Sequence, residues 1–218
     1  MNNSRSKQLL PVIISAIGWF ALFAQFYLII LNRSASIPET IIRYFTFFTI
    51  LTNIMVVVWC THLMLNAPVV KAKFVFSQTT AAALAVYISV VGFIYNTILR
   101  FLWQPEGLQL MVDELLHTII PLLFIFYWVL FVPKDQLKWK NVLPWLLYPM
   151  AYSILIIIRG YFSGYYPYPF IDAGVLGYNK VLLNSAGLTA MFLLISLMFV
   201  ATGKLMSRNK KGTEELKN

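Results

Sequence analysis

The stretch that decides the fold is VDELLHTIIPLLFIFYWVLFV at residues 112–132. Beyond its acid pair and one histidine it carries no charge. It is also long enough to cross a bilayer core, which takes roughly 17–25 residues. Five further apolar runs lie at about 9–31, 44–65, 79–101, 142–158 and 181–203. Arg5 and Lys7 precede the first run, as in a signal peptide. Its apolar length exceeds a signal core and no small-residue cleavage pattern follows, so it reads as a retained span. Pro144 and Pro149 interrupt the fifth, which Arg159 closes. A membrane helix tolerates such prolines where neighbours satisfy the freed carbonyls.

The whole chain agrees with these runs. Of its 218 residues 60% are hydrophobic and 11% charged, with a mean hydropathy of +0.74. Soluble domains run to about 45–50% apolar and about 25% charged residues. That excess of apolar surface excludes a soluble enzyme, a disordered chain and a nucleic-acid binder. The single cysteine, Cys60, lies inside an apolar run and supports neither a disulfide framework nor a cysteine-based zinc site. The fold class expected is all-α: a polytopic bundle of six transmembrane helices over residues 1–207, without a domain boundary or internal repeat. Residues 208–218 form a polar tail expected to be disordered.

The basic residues orient this bundle. Twelve of the 17, namely Arg5, Lys7, Lys71, Lys73, Lys134, Lys138, Lys140, Lys204, Arg208, Lys210, Lys211 and Lys217, fall on one side of six alternating spans. The other five, Arg33, Arg43, Arg100, Arg159 and Lys180, fall on the opposite side. The positive-inside rule then predicts both termini in the cytoplasm. The formal charge of +9 is accordingly topology and lipid anchoring rather than nucleic-acid binding.

In a membrane the informative residues are the polar ones, because each is costly unless paired or hydrated. At about 100° per residue, Arg43, Thr46, Thr49 and Asn53 share a face of the second span. Ser89, Gly92, Asn96 and Arg100 share one on the third, and Asp113, Glu114 and His117 one on the fourth. Tyr152 and Arg159 share a face of the fifth, and Asn184 and Ser185 open the sixth. The charged members sit near the non-cytoplasmic ends, with His117 about one turn inside its span. The loop YFSGYYPYPFIDAG at 161–174 adds Tyr168 and one acid, Asp172. Four helices and this loop are expected to enclose a polar pocket opening toward the outer leaflet.

Each feature also has a plainer reading. End-of-span arginines snorkel to the interface, and Thr and Asn tie neighbouring helices together, the reading preferred for Asn53, Ser89 and Asn184. Asp113 and Glu114 suit the start of a helix. His62 lies at the cytoplasmic end, away from the cluster. His117 suits acid–base chemistry near neutral pH, with Asp113 at i−4 and Glu114 at i−3 placed to hold its ring. One histidine without a partner of its own makes no metal site.

Three stretches carry a resemblance: RYFTFFTILTN at 43–53, HTIIPLLF at 117–124 and SGYYPYPFIDAG at 163–174. Together, across about 130 of the 218 residues, the chain resembles the androgen-induced six-helix membrane proteins. That family includes the androgen-dependent regulator of tissue factor pathway inhibitor and has bacterial relatives. The resemblance implies an intramembrane hydrolase of fatty acid esters of hydroxy fatty acids, needing no cofactor. It places the threonine nucleophile on Thr46, in a Phe45-Thr46-Phe47 context, and the second essential residue on His117. Thr49 and Thr52 remain alternatives for the nucleophile, and the substrate range of a bacterial relative is open.

A threonine hydroxyl needs an adjacent base, a role His117 suits. Arg43, Arg100, Arg159, Tyr168 or a backbone amide of the YPYPF loop are candidates to bind the oxyanion or a substrate carboxylate. The partner expected is a membrane lipid or lipid ester. The site expected is the plasma (inner) membrane of a bacterium. A small transporter or channel and a non-enzymatic lipid-binding membrane protein remain as the other readings.

Overall fold

The computed structural model describes residues 3–65, 75–102 and 104–215. Every regular element among them is helical. Six helical stretches are long and apolar enough to cross a membrane: Lys7–Leu31, Phe48–Leu65, Gln78–Phe101, Gly107–Phe131, Trp139–Ser163 and Tyr178–Asn209. This is the pattern of an integral multi-pass membrane protein. The chain divides into two compact units, Met1–Val132 and Pro133–Asn218, where the sequence alone gives no boundary.

The first unit contains α1 (Asn3–Leu31), the short α2 (Ile37–Tyr44), α3 (Phe48–Leu65), α4 (Gln78–Thr97), α5 (Gly107–Glu114) and α6 (Ile120–Phe131). Between α5 and α6 the chain makes a π-helical turn, Leu115–Ile119. Small residues let these helices approach closely, the usual device where lipid removes any hydrophobic drive between them. Ala81, Ala82 and Ala85 of α4 are fully buried. Gly18 of α1 lies so close to Val57 of α3 that a β-carbon there would overlap the valine side chain. Ser77 starts α4 by accepting the Thr80 amide on its hydroxyl at 3.2 Å.

The direction of each helix follows from its contacts. Asn53 bonds to Leu116 and Trp59 meets Phe124 edge-on at 5.7 Å, so α3 and α6 run parallel. Tyr95 meets His117 while Gly92 meets Pro121, so α4 runs antiparallel to that segment.

The second unit contains α7 (Val142–Ser163), the one-turn α8 (Ala173–Leu176) and α9 (Tyr178–Glu215). α7 runs unbroken past Pro144, which falls in the first turn where no amide is needed. It also passes Pro149, where Ser153 Oγ donates to the Pro149 carbonyl at 2.9 Å. Gly164 ends it in the left-handed region at φ +67. Ile156, Ile171, Ala173 and Val181 form this unit's buried cluster, with Tyr166 and Tyr168 packed against it.

Three expectations change. The second span begins at Phe48 rather than at 44, because the chain breaks between α2 and α3. Thr46 there turns both its amide, at 3.0 Å, and its hydroxyl, at 2.6 Å, onto the Arg43 carbonyl. This bonding three residues back competes with helix continuation. Arg43 and Thr46 therefore do not share a helical face with Thr49 and Asn53. The polar tail expected to be disordered is helical to Glu215, since α9 continues through it; residues 216–218 lie outside the described residues. The fourth span begins at Gly107, so His117 stands ten residues, roughly 15 Å, from its first residue rather than one turn in.

Candidate functional site

The first unit gathers its polar side chains around the π-helical turn. Such turns are rare and concentrate at functional sites. Here the turn carries His117 and aims its ring back along α5, as helical side chains do. Its Nδ1 lies 2.9 Å from the main-chain carbonyl of Asp113. A carbonyl oxygen only accepts, so Nδ1 holds the proton. In the neutral ring Nε2 then carries the lone pair. That is the tautomer of a general base.

The rest of the cluster fixes this ring. Tyr95 of α4 stacks on it with centroids 4.1 Å apart and planes 11° apart. The Arg100 guanidinium lies 5.4 Å from the Tyr95 ring centre and forms an ion pair with Glu114. It also donates to Thr118 Oγ1 at 3.4 Å. Asn96 of α4 donates to the carbonyls of Gly92 and His117 and to Thr118 Oγ1, at 2.8, 3.4 and 3.3 Å. Asn53 of α3 donates to the carbonyls of Thr49 and Leu116, at 2.9 and 3.1 Å. Gln109 donates both to Gln25 of α1, at 2.9 Å, and to the Asp113 carboxylate, at 3.0 Å.

The acid pair therefore does not hold the imidazole as the i−4 and i−3 spacing suggests. Asp113 reaches His117 through its backbone while its buried carboxylate takes Gln109. Glu114 is turned to Arg100. Nor do the two acids open the span, because α5 begins at Gly107.

Arg43 and Thr46 lie at the α2–α3 corner. Arg43 Nε pairs with Glu39 at 2.9 Å, and the Thr46 side chain is 5% exposed. Tyr44 ties the corner to α1 by donating to the Leu22 carbonyl at 2.8 Å. Thr49 and Thr52 are also buried, in α3. The Asn53–Leu116 bond sets the register between α3 and the π-turn. By it Thr49 stands opposite the Val112–Asp113 step, while Thr46 lies in the turn just before α3.

The second unit holds the other candidates, each with a local role. Arg159 donates to Ser163 Oγ at 3.2 Å and lies 5.5 Å from the Tyr165 ring centre. Tyr168 stacks on Phe170 at 5.2 Å. Asp172 caps α8, its carboxylate accepting the Gly174 and Val175 amides at 2.9 and 3.1 Å. The loop is pinned to α9 by Asn184, which donates to the Phe170 carbonyl at 2.8 Å.

Tyr95, Gln25 and Gln109 escape sequence reasoning. A tyrosine in an apolar run reads as part of an aromatic belt, and the Gln25–Gln109 bond joins residues 84 apart. Among the described residues no three His, Cys, Asp or Glu side chains converge as a metal would need. No protein-family model, curated protein or solved structure matches the chain.

Proposed function

We propose that this chain is an intramembrane lipid-ester hydrolase with Thr46 as nucleophile and His117 as base. The observation that carries the reading is the Nδ1 bond of His117 to the Asp113 carbonyl, which leaves Nε2 basic within a half-buried polar cluster. The resemblance at residues 43–53 and 117–124 supplies the choice of Thr46. The six apolar helices support a substrate that enters from the lipid.

In the reaction the Thr46 hydroxyl leaves the Arg43 carbonyl and attacks the ester carbonyl carbon while its proton passes to His117 Nε2. The alkoxide leaving group takes that proton and departs as the alcohol. Water, deprotonated by the same nitrogen, then hydrolyses the acyl-threonine to the free acid. Arg100 is already neutralised by Glu114 and Arg43 by Glu39. Both therefore act as polar donors toward the oxyanion more readily than as unpaired cations for a substrate carboxylate.

The twelve-to-five distribution of basic residues supports cytoplasmic termini. With both termini there, the α2–α3 corner lies on the non-cytoplasmic side of a bacterial inner membrane. The test is labelling of the purified protein by a fluorophosphonate, followed by peptide mass analysis. The expected adduct is on Thr46, and it disappears in His117→Ala. A wild-type protein that stays unlabelled, or carries its label elsewhere, rejects the assignment. Lipid that co-purifies without being cleaved favours a binding protein.

A further inference from the structure

The π-turn has a cause in the sequence and a repair in the structure. Proline has no amide, and its ring crowds the carbonyl four residues earlier. For Pro121 that carbonyl belongs to His117, and the one five residues earlier, which a π-helical bond would use, belongs to Leu116. The Ile120 amide, the remaining helical donor for Leu116, bonds instead to the Leu115 carbonyl. Two consecutive carbonyls thus face the amide that Pro121 lacks, inside a span where lipid supplies no replacement.

Both receive an asparagine amide from a different helix. Asn53 of α3 donates to Leu116 O at 3.1 Å, and Asn96 of α4 donates to His117 O at 3.4 Å. Each amide group also bonds the carbonyl four residues back in its own helix, at 2.9 and 2.8 Å. The two carbonyls fix the orientation of the Asn53 amide group, since only its NH2 can serve them. Its Oδ1 meets no donor although the residue is fully buried. Gly92 brings α4 close enough for this: a β-carbon there would lie 3.2 Å from His117 O and 3.4 Å from Pro121 Cβ.

We infer that Asn53 and Asn96 are positioning residues that replace the amide missing at Pro121, lock the π-turn and so present His117 in its basic tautomer. The functional weight of that tautomer rests on the hydrolase reading; the clamp itself does not. Without the clamp the turn loses its fixed geometry, and the ring leaves both Tyr95 and the Asp113 carbonyl.

The test uses full-length protein in nanodiscs with His62→Gln, which leaves His117 as the single histidine. Its imidazole is labelled with nitrogen-15, and ester hydrolysis is measured in parallel. The parent is expected to give the Nδ1-protonated signature. Asn53→Ala, Asn96→Ala and Pro121→Ala are each expected to give mixed tautomers. Pro121→Ala restores a helical amide, so it keeps the comparison available if an asparagine variant fails to fold. In the asparagine variants kcat is expected to fall about a hundredfold, the scale of a roughly 1 Å misplacement, with little change in KM. Spectra unchanged in all three variants overturn the clamp, even if the parent hydrolyses esters. Shifted spectra in a protein without turnover uphold the clamp and reject the hydrolase.

Discussion

His117 lies face to face on Tyr95, ring over ring at 4.1 Å, at the point where α4 crosses the π-turn. Tyr95 is itself buried, so the stack fixes the plane of the imidazole as the Asp113 carbonyl fixes its rotation. Aromatic pairs of this kind contribute about 0.5–1.5 kcal/mol beyond the area they bury. Tyr95→Phe, which keeps the ring face, is expected to hydrolyse esters at nearly the parent rate. Tyr95→Leu is expected to lose about tenfold in kcat, the equivalent of about 1.4 kcal/mol. Equal rates in the two variants would mean that the stack does not orient the base.

The charge distribution predicts a topology. A fluorescent protein fused after Asn218 is expected to mature in the cytoplasm of a bacterial host, and alkaline phosphatase fused there to stay inactive. The same phosphatase placed in the 32–36 connection, beside Arg33, is expected to be active. The reverse pattern would turn the bundle over and move the α2–α3 corner to the cytoplasmic face.

Packing in the first unit depends on the approach of α1 to α3 at Gly18 and Val57. A methyl group at Gly18 meets a β-branched side chain that has little rotameric freedom. Gly18→Ala is expected to destabilise the protein by about 1–3 kcal/mol, the usual cost of overpacking. Adding Val57→Ala is expected to recover most of that loss. Thermal midpoints in detergent check both, and a double variant no better than Gly18→Ala contradicts the contact.

How much of this was legible in the sequence depended on whether neighbouring helices were needed to see it. The six apolar helices follow from run length alone. The break before Phe48 was hidden because Arg43, Thr46, Thr49 and Asn53 fit a helical stripe; what ends α2 is a Thr46 hydrogen bond that periodicity cannot register. The roles of Asp113 and Glu114 were misread because their partners, Gln109 and Arg100, compete for them in three dimensions. Pro121 was a visible cue to a disturbed helix four or five residues earlier. The asparagines that answer it come from other spans. Asp172 reads from the sequence only as a loop acid; its role as the cap of α8 depends on a one-turn helix that too few residues announce.

Lys134 opens the second unit beneath Gly203 of α9 and is 8% exposed. Burial lowers its amine from an ordinary 10.5 to about 8. The unfolded chain then binds this proton more tightly than the folded one, so stability is lower below pH 8 and rises from there toward pH 10.5. The gain is at most about 3–4 kcal/mol, and less where solvent screens the amine. Lys134→Met is expected to flatten the rise of the thermal midpoint between pH 8 and 10. A parallel rise in parent and variant would assign the effect to other groups.

The central claim is that one alcohol and one imidazole perform ester chemistry inside the bilayer. The most direct measurement is hydrolysis of a fatty acid ester of a hydroxy fatty acid by purified protein in nanodiscs, comparing the parent with Thr46→Ala, Thr49→Ala and His117→Ala. The account predicts turnover by the parent and by Thr49→Ala, and a loss of about a thousandfold or more in Thr46→Ala and His117→Ala, on the scale seen when a nucleophile or its base is removed. Parent-like turnover in folded Thr46→Ala or His117→Ala contradicts it, as does a parent that cleaves no lipid ester.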